Sequence, residues 1–175
     1  MALTTNIVNK NELRVAQLNA FKIAADALTS AFGPYASTTA IRHGETEKNH
    51  YGSTTYTKDG HTILKSIIMT RPIEMTVMED LIRVTRETVK KVGDGTTSAV
   101  ILSYLIYKGL YDASASGIPE SVLVQDIKSI GKRVIDEIDK NKHECTPIHI
   151  FEIAMIATNG NVEVSNAIKQ IYEKH

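Results

Sequence analysis

The chain has 175 residues, 20 basic and 20 acidic side chains, one cysteine and 42% hydrophobic residues. That length can bury a core without staples, one cysteine excludes an internal disulfide framework, and zero formal charge argues against nucleic acid as a partner. No run reaches the roughly 18 apolar residues of a membrane helix, and residues 1–6 lack the charged and apolar regions of a signal peptide, so the expected setting is reducing and cytoplasmic.

Residues 10–32 read as a helix, because Leu13, Ala16, Ala20, Ala24, Ala27, Leu28 and Ala31 recur at steps of three and four. Asn9 supplies an N-cap with Glu12 as its capping-box partner. Gly33-Pro34 stops the helix. The narrow alanine face predicts close packing on another helix. Residues 37–43 and 54–57 are strand-like, and the charged stretch 44–53 between them predicts a β-hairpin with a long tip. The run 62–68 is a short strand or the start of a helix; its period does not decide.

Pro72 predicts the first position of a second long helix, with Ile73, Val77, Leu81, Thr85, Val89 and Val92 on one face up to Gly93. A third starts at Thr96 or Thr97 and carries Val100, Ile101, Tyr104, Leu105 and Lys108. Gly117-Ile118-Pro119 breaks it, and a fourth follows with Val122, Ile127, Ile130, Val134 and Ile138 inward. Thr146-Pro147 opens a short fifth through Ile150, Ile153, Ala154 and Ala157. After the turn Asn159-Gly160-Asn161, Val164, Ile168 and Ile171 define a final amphipathic helix. The fold class is mainly α with one small β element, and the helix breakers of 141–147 mark the best domain boundary.

Three glycine-containing breaks could carry chemistry: Phe32-Gly33-Pro34, Thr57-Lys58-Asp59-Gly60 and Gly93-Asp94-Gly95-Thr96-Thr97-Ser98. In the third, glycines allow a sharp turn and close backbone approach. Free N–H groups of Gly95, Thr96 and Thr97 at a helix N-terminus favour phosphate, and a carboxylate beside phosphate, Asp94, is a natural Mg²⁺ ligand. A C-cap glycine followed by an N-cap threonine accounts for the same residues without a ligand. Asp-Gly by itself is a turn dipeptide, and Gly-Pro by itself a helix stop. Cys145 reads as a packed thiol. His43 with His50, and His143 with His149, lack the i, i+4 spacing of the common zinc motif.

The order of these breaks resembles the N-terminal part of a chaperonin subunit, the ATP-driven folding-machine family. The resemblance runs from about Asn6 to the end of the chain and includes Gly117-Ile118-Pro119 and Ile156-Ala157-Thr158-Asn159. It implies an α+β equatorial domain, a helical bundle with a small hairpin, whose N-terminal half is 1–141. Residues 142–175 would be the first segment of an intermediate domain. The apical domain and the C-terminal equatorial half have no counterpart here.

The resemblance also implies a site. Ala31, Phe32, Gly33 and Pro34 would line the nucleotide pocket, and Lys58 would sit near the phosphates. Asp59 would be the catalytic group that positions the attacking water. Asp94 would hold Mg²⁺, Gly95, Thr96, Thr97 and Ser98 would cradle phosphate oxygens, and Ile156 would pack near the nucleotide. K⁺ near the backbone of Ala31 and Lys58 is a further family expectation. The implied function is ATP binding and hydrolysis driving a ring of identical subunits that folds unfolded client proteins, with a co-chaperonin in some members. The 175-residue chain alone is then expected to be inactive as an ATPase, because the family takes an essential acidic residue from a part without counterpart here. The alternative is a short chaperonin-like module that joins or modulates a ring without hydrolysing ATP. This chain departs from the family at Tyr35 and Ala36, where lysine and glycine are usual, and at Ser98, Met155 and the long hairpin tip. Such divergence suits a virus-encoded member.

Overall fold

The computed structural model describes residues 8–33, 36–44 and 52–174. In chain order the elements are α1 (Lys10–Thr29), β1 (Thr39–His43), β2 (Ser53–Thr57), α2 (Gly60–Ser66), α3 (Pro72–Val92), α4 (Thr96–Ala115), α5 (Glu120–Asn141), α6 (Pro147–Ala157) and α7 (Val162–Glu173). The chain divides into two compact units, residues up to 123 and residues 124–175. This division by compactness falls within α5 and does not bear on the assignment of 1–141 and 142–175 to family domains. Among the described residues no helix is long and apolar enough to cross a membrane.

In the first unit, α1 starts where Asn9 Oδ1 accepts from the Glu12 N–H at 2.9 Å. The Glu12 carboxylate accepts from Arg71 Nη2 at 3.1 Å, at the start of α3. The helix ends at Thr29, three residues before the expected stop. The Ala31 N–H reaches back only three residues, to Leu28 O at 3.0 Å, which tightens the last turn before Gly33. Ala16, Ala20 and Ala24 are fully buried, and this small-residue stripe lets α1 lie against α4 and α3. Phe21 stacks on Tyr107 of α4 with centroids 4.9 Å apart, and the Tyr107 hydroxyl donates to Gln17 Oε1 at 2.7 Å. The core gathers Ala24, Leu28 and Ala31 with Ile63 and Leu64 of α2, Met78 and Leu81 of α3, and Val100 of α4.

The ambiguous run is helical through Ser66 and extended at Ile67. A strand would send Ile63 and Leu64 to opposite faces, whereas in α2 both are buried in the same core. The hairpin is antiparallel, with Thr39 opposite Thr57 and His43 opposite Ser53. Two strands alone are marginal in water; here Ile41 packs against the core of the first unit. The hairpin tip, residues 45–51, lies outside the described residues.

The expected inward faces hold only in part. On α3, Val77, Leu81 and Thr85 are buried, but Val89 is 45% and Val92 75% exposed. Glu74 is buried with them, which its bonds from Asn19 Nδ2 (2.9 Å) and Arg71 Nη1 (3.4 Å) permit. On α4, Val100 is buried and Leu105 exposed. On α5, Val122, Ile130, Val134 and Ile138 are exposed, and Leu123 is the buried residue. A 3.6-residue period reports that a helix is two-faced, not that a partner covers the apolar face.

In the second unit α6 packs on α7. Asn161 caps α7 by accepting from the Val164 N–H at 3.1 Å. Ser165 is fully buried at this corner; it donates to Asn161 O at 2.7 Å and meets Thr158 Oγ1 at 3.0 Å. Asn159 and Gly160 both take positive φ, 52° and 86°. Cys145 is exposed, contrary to the packed thiol expected, in a connection between α5 and α6 whose residues 142–146 are all exposed.

Candidate functional site

Helix α3 ends at Gly93, whose φ is 86° and whose N–H donates to Val89 O at 2.9 Å. Asp94 follows, and then Gly95, with φ 85° and a carbonyl that accepts from the Ala99 N–H at 2.9 Å to open α4. Two left-handed residues within three positions explain the glycines, since a side chain at either costs about 1–2 kcal/mol. The Asp94 side chain folds back, and its Oδ1 accepts from the Gly95 N–H at 2.6 Å. That donor, expected from the sequence to be free for a ligand, is therefore taken. The N–H groups of Thr96, Thr97 and Ser98 have no carbonyl four residues back within the helix, and no side chain caps this end. They form a concentration of donors at the positive end of a 20-residue helix.

Helix α2 starts alongside. Asp59 is its N-cap: Oδ2 accepts from the Thr62 N–H at 2.8 Å and the Thr62 hydroxyl at 2.5 Å, and Oδ1 from the His61 N–H at 3.4 Å. Partial burial works against the charged carboxylate. The Thr62 hydroxyl, the Thr62 and His61 N–H groups and the nearby His61 ring outweigh it, so the carboxyl is held below its ordinary value. Asp59 is therefore an anion at neutral pH.

The two helix starts touch at Gly60. A Cβ there would stand 2.6 Å from Thr97 Oγ1, 3.2 Å from Thr96 Oγ1 and 3.3 Å from Thr97 N. Around this contact lies a cleft of about 370 Å³, lined by Ala31, Phe32, Gly33, Lys58, Asp59, Gly60, Asp94, Gly95, Thr96, Thr97 and Ser98. Of the residues singled out in the sequence, ten thus line one cleft. Pro34 lies outside the described residues. Ile156 belongs to the second unit, where it stands 73% exposed on α6. Gly60, which the sequence offers only as part of a turn dipeptide, is the residue missed. Its signal is a contact with Thr97, 37 positions away, that no local pattern carries.

The electrostatics select the kind of ligand. The lining holds one cation, Lys58, and two carboxylates, Asp59 and Asp94. A bare phosphate would meet helix donors and Lys58 but also two negative charges. A phosphate carrying a divalent cation satisfies both sets. Among the described residues there is no cluster of three or more His, Cys, Asp or Glu side chains; one or two carboxylates, completed by phosphate and water, is the ligand pattern that suits Mg²⁺. The donor set fits a phosphate ligand carrying a divalent cation.

Comparison with known proteins agrees with the fold. Heat shock protein 60, mitochondrial, from Ajellomyces capsulatus is 29% identical over 164 residues, which is 93% of this chain and 27% of the relative. The protein of the same name from Candida albicans is also 29% identical over 164 residues, with 28% of its length covered. The chain thus spans little more than a quarter of the curated relatives it matches. The crystal structure of the chaperonin gp146 from the bacteriophage EL 2 (Pseudomonas aeruginosa), in presence of ATP-BeFx, shares the fold. Its TM-score is 0.81 at 21% identity, over 98% of this chain and 29% of that one. The sequence model of the TCP-1/cpn60 chaperonin family matches residues 24–171, a span that begins within α1 and takes in every cleft-lining residue, and this chain belongs to that family.

Proposed function

We propose that this chain is the N-terminal part of a chaperonin subunit and that its cleft binds ATP with Mg²⁺ for hydrolysis. One observation carries the reading: the uncapped N-terminus of α4 opens on a cleft that also holds two carboxylates, Asp59 and Asp94. The presence of ATP-BeFx with gp146 supports it. In this reading 1–141 is the N-terminal half of an equatorial domain and 142–175 the first segment of an intermediate domain. The partners are identical subunits in a ring and unfolded client proteins, with a co-chaperonin in some members of the family, and with no role for nucleic acid or membrane. The setting is cytoplasmic.

The roles follow from the free valences of each group. Asp94 Oδ1 accepts once, from the Gly95 N–H, which leaves lone pairs on both carboxylate oxygens that would hold Mg²⁺, whose chemistry is to neutralise charge on the phosphates. The N–H and hydroxyl groups of Thr96, Thr97 and Ser98 would bind phosphate oxygens, with Lys58 adding a point charge. Asp59 Oδ2 already accepts twice, from the N–H and hydroxyl of Thr62. Its Oδ1 accepts once, so that oxygen keeps a lone pair to hold and orient the attacking water. The backbone at Ala31, Phe32, Gly33 and Pro34 would line the nucleotide, the carbonyls of Ala31 and Lys58 would suit K⁺, and Ile156 would pack near the nucleotide.

Calorimetric titration of the protein with ATP, with and without Mg²⁺, tests the reading. Mg²⁺-dependent binding that Asp94→Ala removes is expected. Absence of binding, or binding that Asp94→Ala leaves unchanged, overturns it.

A further inference from the structure

We propose that His61 is a positioning residue for Asp59, held in the Nδ1–H tautomer by Thr85, so that the first turn of α2 is pinned to α3. The role rests on the ATPase reading of the cleft. His61 is the second residue of α2 and does not itself line the cleft. Its backbone N–H donates to Asp59 Oδ1, the oxygen left with a lone pair for water. Its ring turns the other way, and Nδ1 lies 2.8 Å from Thr85 Oγ1 on α3.

Thr85 fixes the direction of that bond. Its side chain is fully buried, and its hydroxyl donates to Ile82 O at 2.9 Å. A hydroxyl has one hydrogen. With that hydrogen on a carbonyl, Oγ1 accepts from His61, so Nδ1 carries the ring proton in the neutral imidazole. The chain of bonds then runs from the Ile82 carbonyl through Thr85 and His61 to Asp59 Oδ1. It connects a buried point on α3 to the Asp59 oxygen that keeps a lone pair. A longer arm could not do this with the same stiffness, because the imidazole has only two torsions and its ring nitrogen is already within reach.

The test combines tautomer and turnover. Nitrogen-15 NMR of the ligand-free wild-type protein is expected to show His61 protonated at Nδ1; a ring protonated only at Nε2 overturns the assignment. His61→Asn retains an N–H donor near the Nδ1 position, whereas His61→Leu and Thr85→Val remove one end of the bond. In ATP turnover by the assembled protein, His61→Leu and Thr85→Val are expected to lower kcat about tenfold with KM little changed, the signature of lost transition-state positioning. His61→Asn is expected to restore most of it, a rescue that a role in simple packing would not produce. Equal losses in His61→Asn and His61→Leu, a change in KM alone, or wild-type kcat in His61→Leu each overturn the proposal while leaving the ATPase reading intact. A wild-type protein that binds no Mg-ATP overturns that reading and the role built on it.

Discussion

Gly60 and Thr97 share a contact that leaves no room for a side chain: a Cβ on Gly60 would lie 2.6 Å from Thr97 Oγ1 and 3.3 Å from the Thr97 backbone nitrogen. The hydroxyl can rotate away, but the backbone nitrogen cannot, and it belongs to the uncapped first turn of α4. Gly60→Ala is therefore expected to push the starts of α2 and α4 apart. The cost is about 1–3 kcal/mol, as for other overpacked sites, together with weaker Mg-ATP binding. Gly131, inside α5 with open space around it, is the control. Gly131→Ala is expected to stabilise by about 0.4–1 kcal/mol through the unfolded chain. Denaturant unfolding of both variants decides it; a Gly60→Ala protein as stable as wild type shows that the contact is not tight.

Asp59 combines two tasks that substitution can separate. Asparagine caps a helix about as well as aspartate, whereas alanine costs about 1 kcal/mol. Asp59→Asn should thus keep the cap and, in the assembled protein, lose ATP turnover, and Asp59→Ala should lose both. The carboxyl is held below its ordinary value of 3.8. Its charge therefore contributes stability above that unfolded-state value, and the contribution disappears as pH falls through the lower folded value. Unfolding free energies of wild type and Asp59→Asn, measured from neutral pH into acid, should converge below about pH 3.8. A gap that widens in acid would show the carboxyl to be raised instead.

Much of this fold is legible because its borders are chemically punctuated. Asn9 before α1, Pro72 at the start of α3, Gly93 at its end and Pro147 at the start of α6 each impose a local backbone state, and local states are what a sequence displays. The cleft is legible for a different reason: its residues come from three glycine-containing breaks, which the structure brings to one place. Helix α2 was not legible, since Ile63 and Leu64 suit a strand until the core that receives both is known. The apolar faces of α3 and α5 predict burial that Val89, Val92, Ile130, Val134 and Ile138 do not have, for the same cause. Burial is a property of pairs of elements, and one element's period cannot supply its partner. Gly60 illustrates the limit most sharply, because its requirement lies in Thr97.

Asp94 is exposed, and its hydrogen bond is to the next residue's N–H. Removing its side chain should change stability by no more than about 0.5 kcal/mol, as for surface substitutions generally. Asp94→Asn preserves an acceptor for the Gly95 N–H and removes the charge that would hold Mg²⁺. It is expected to retain the fold and bind nucleotide no better with Mg²⁺ than without it. Calorimetry in the two conditions measures that difference directly. Substituting the flanking glycines acts through the backbone instead: Gly93→Ala and Gly95→Ala, at φ 86° and 85°, should each lose about 1–2 kcal/mol.

The apolar stripe of α5 gives a prediction about association. Ile130, Val134 and Ile138 are 55%, 52% and 64% exposed and lie at steps of four on one helix face. Apolar patches of this kind on a free surface drive self-association. Because the side chains are already solvated, Ile138→Lys should alter the unfolding free energy of the 175-residue chain by less than about 0.5 kcal/mol, while light scattering and binding of an apolar dye both fall. Leu123, 9% exposed on the same helix, provides the contrast: Leu123→Ala should cost about 2–5 kcal/mol, the range for emptying a buried leucine site. A large loss of stability in Ile138→Lys, with scattering unchanged, would mean that the stripe is covered within the chain itself.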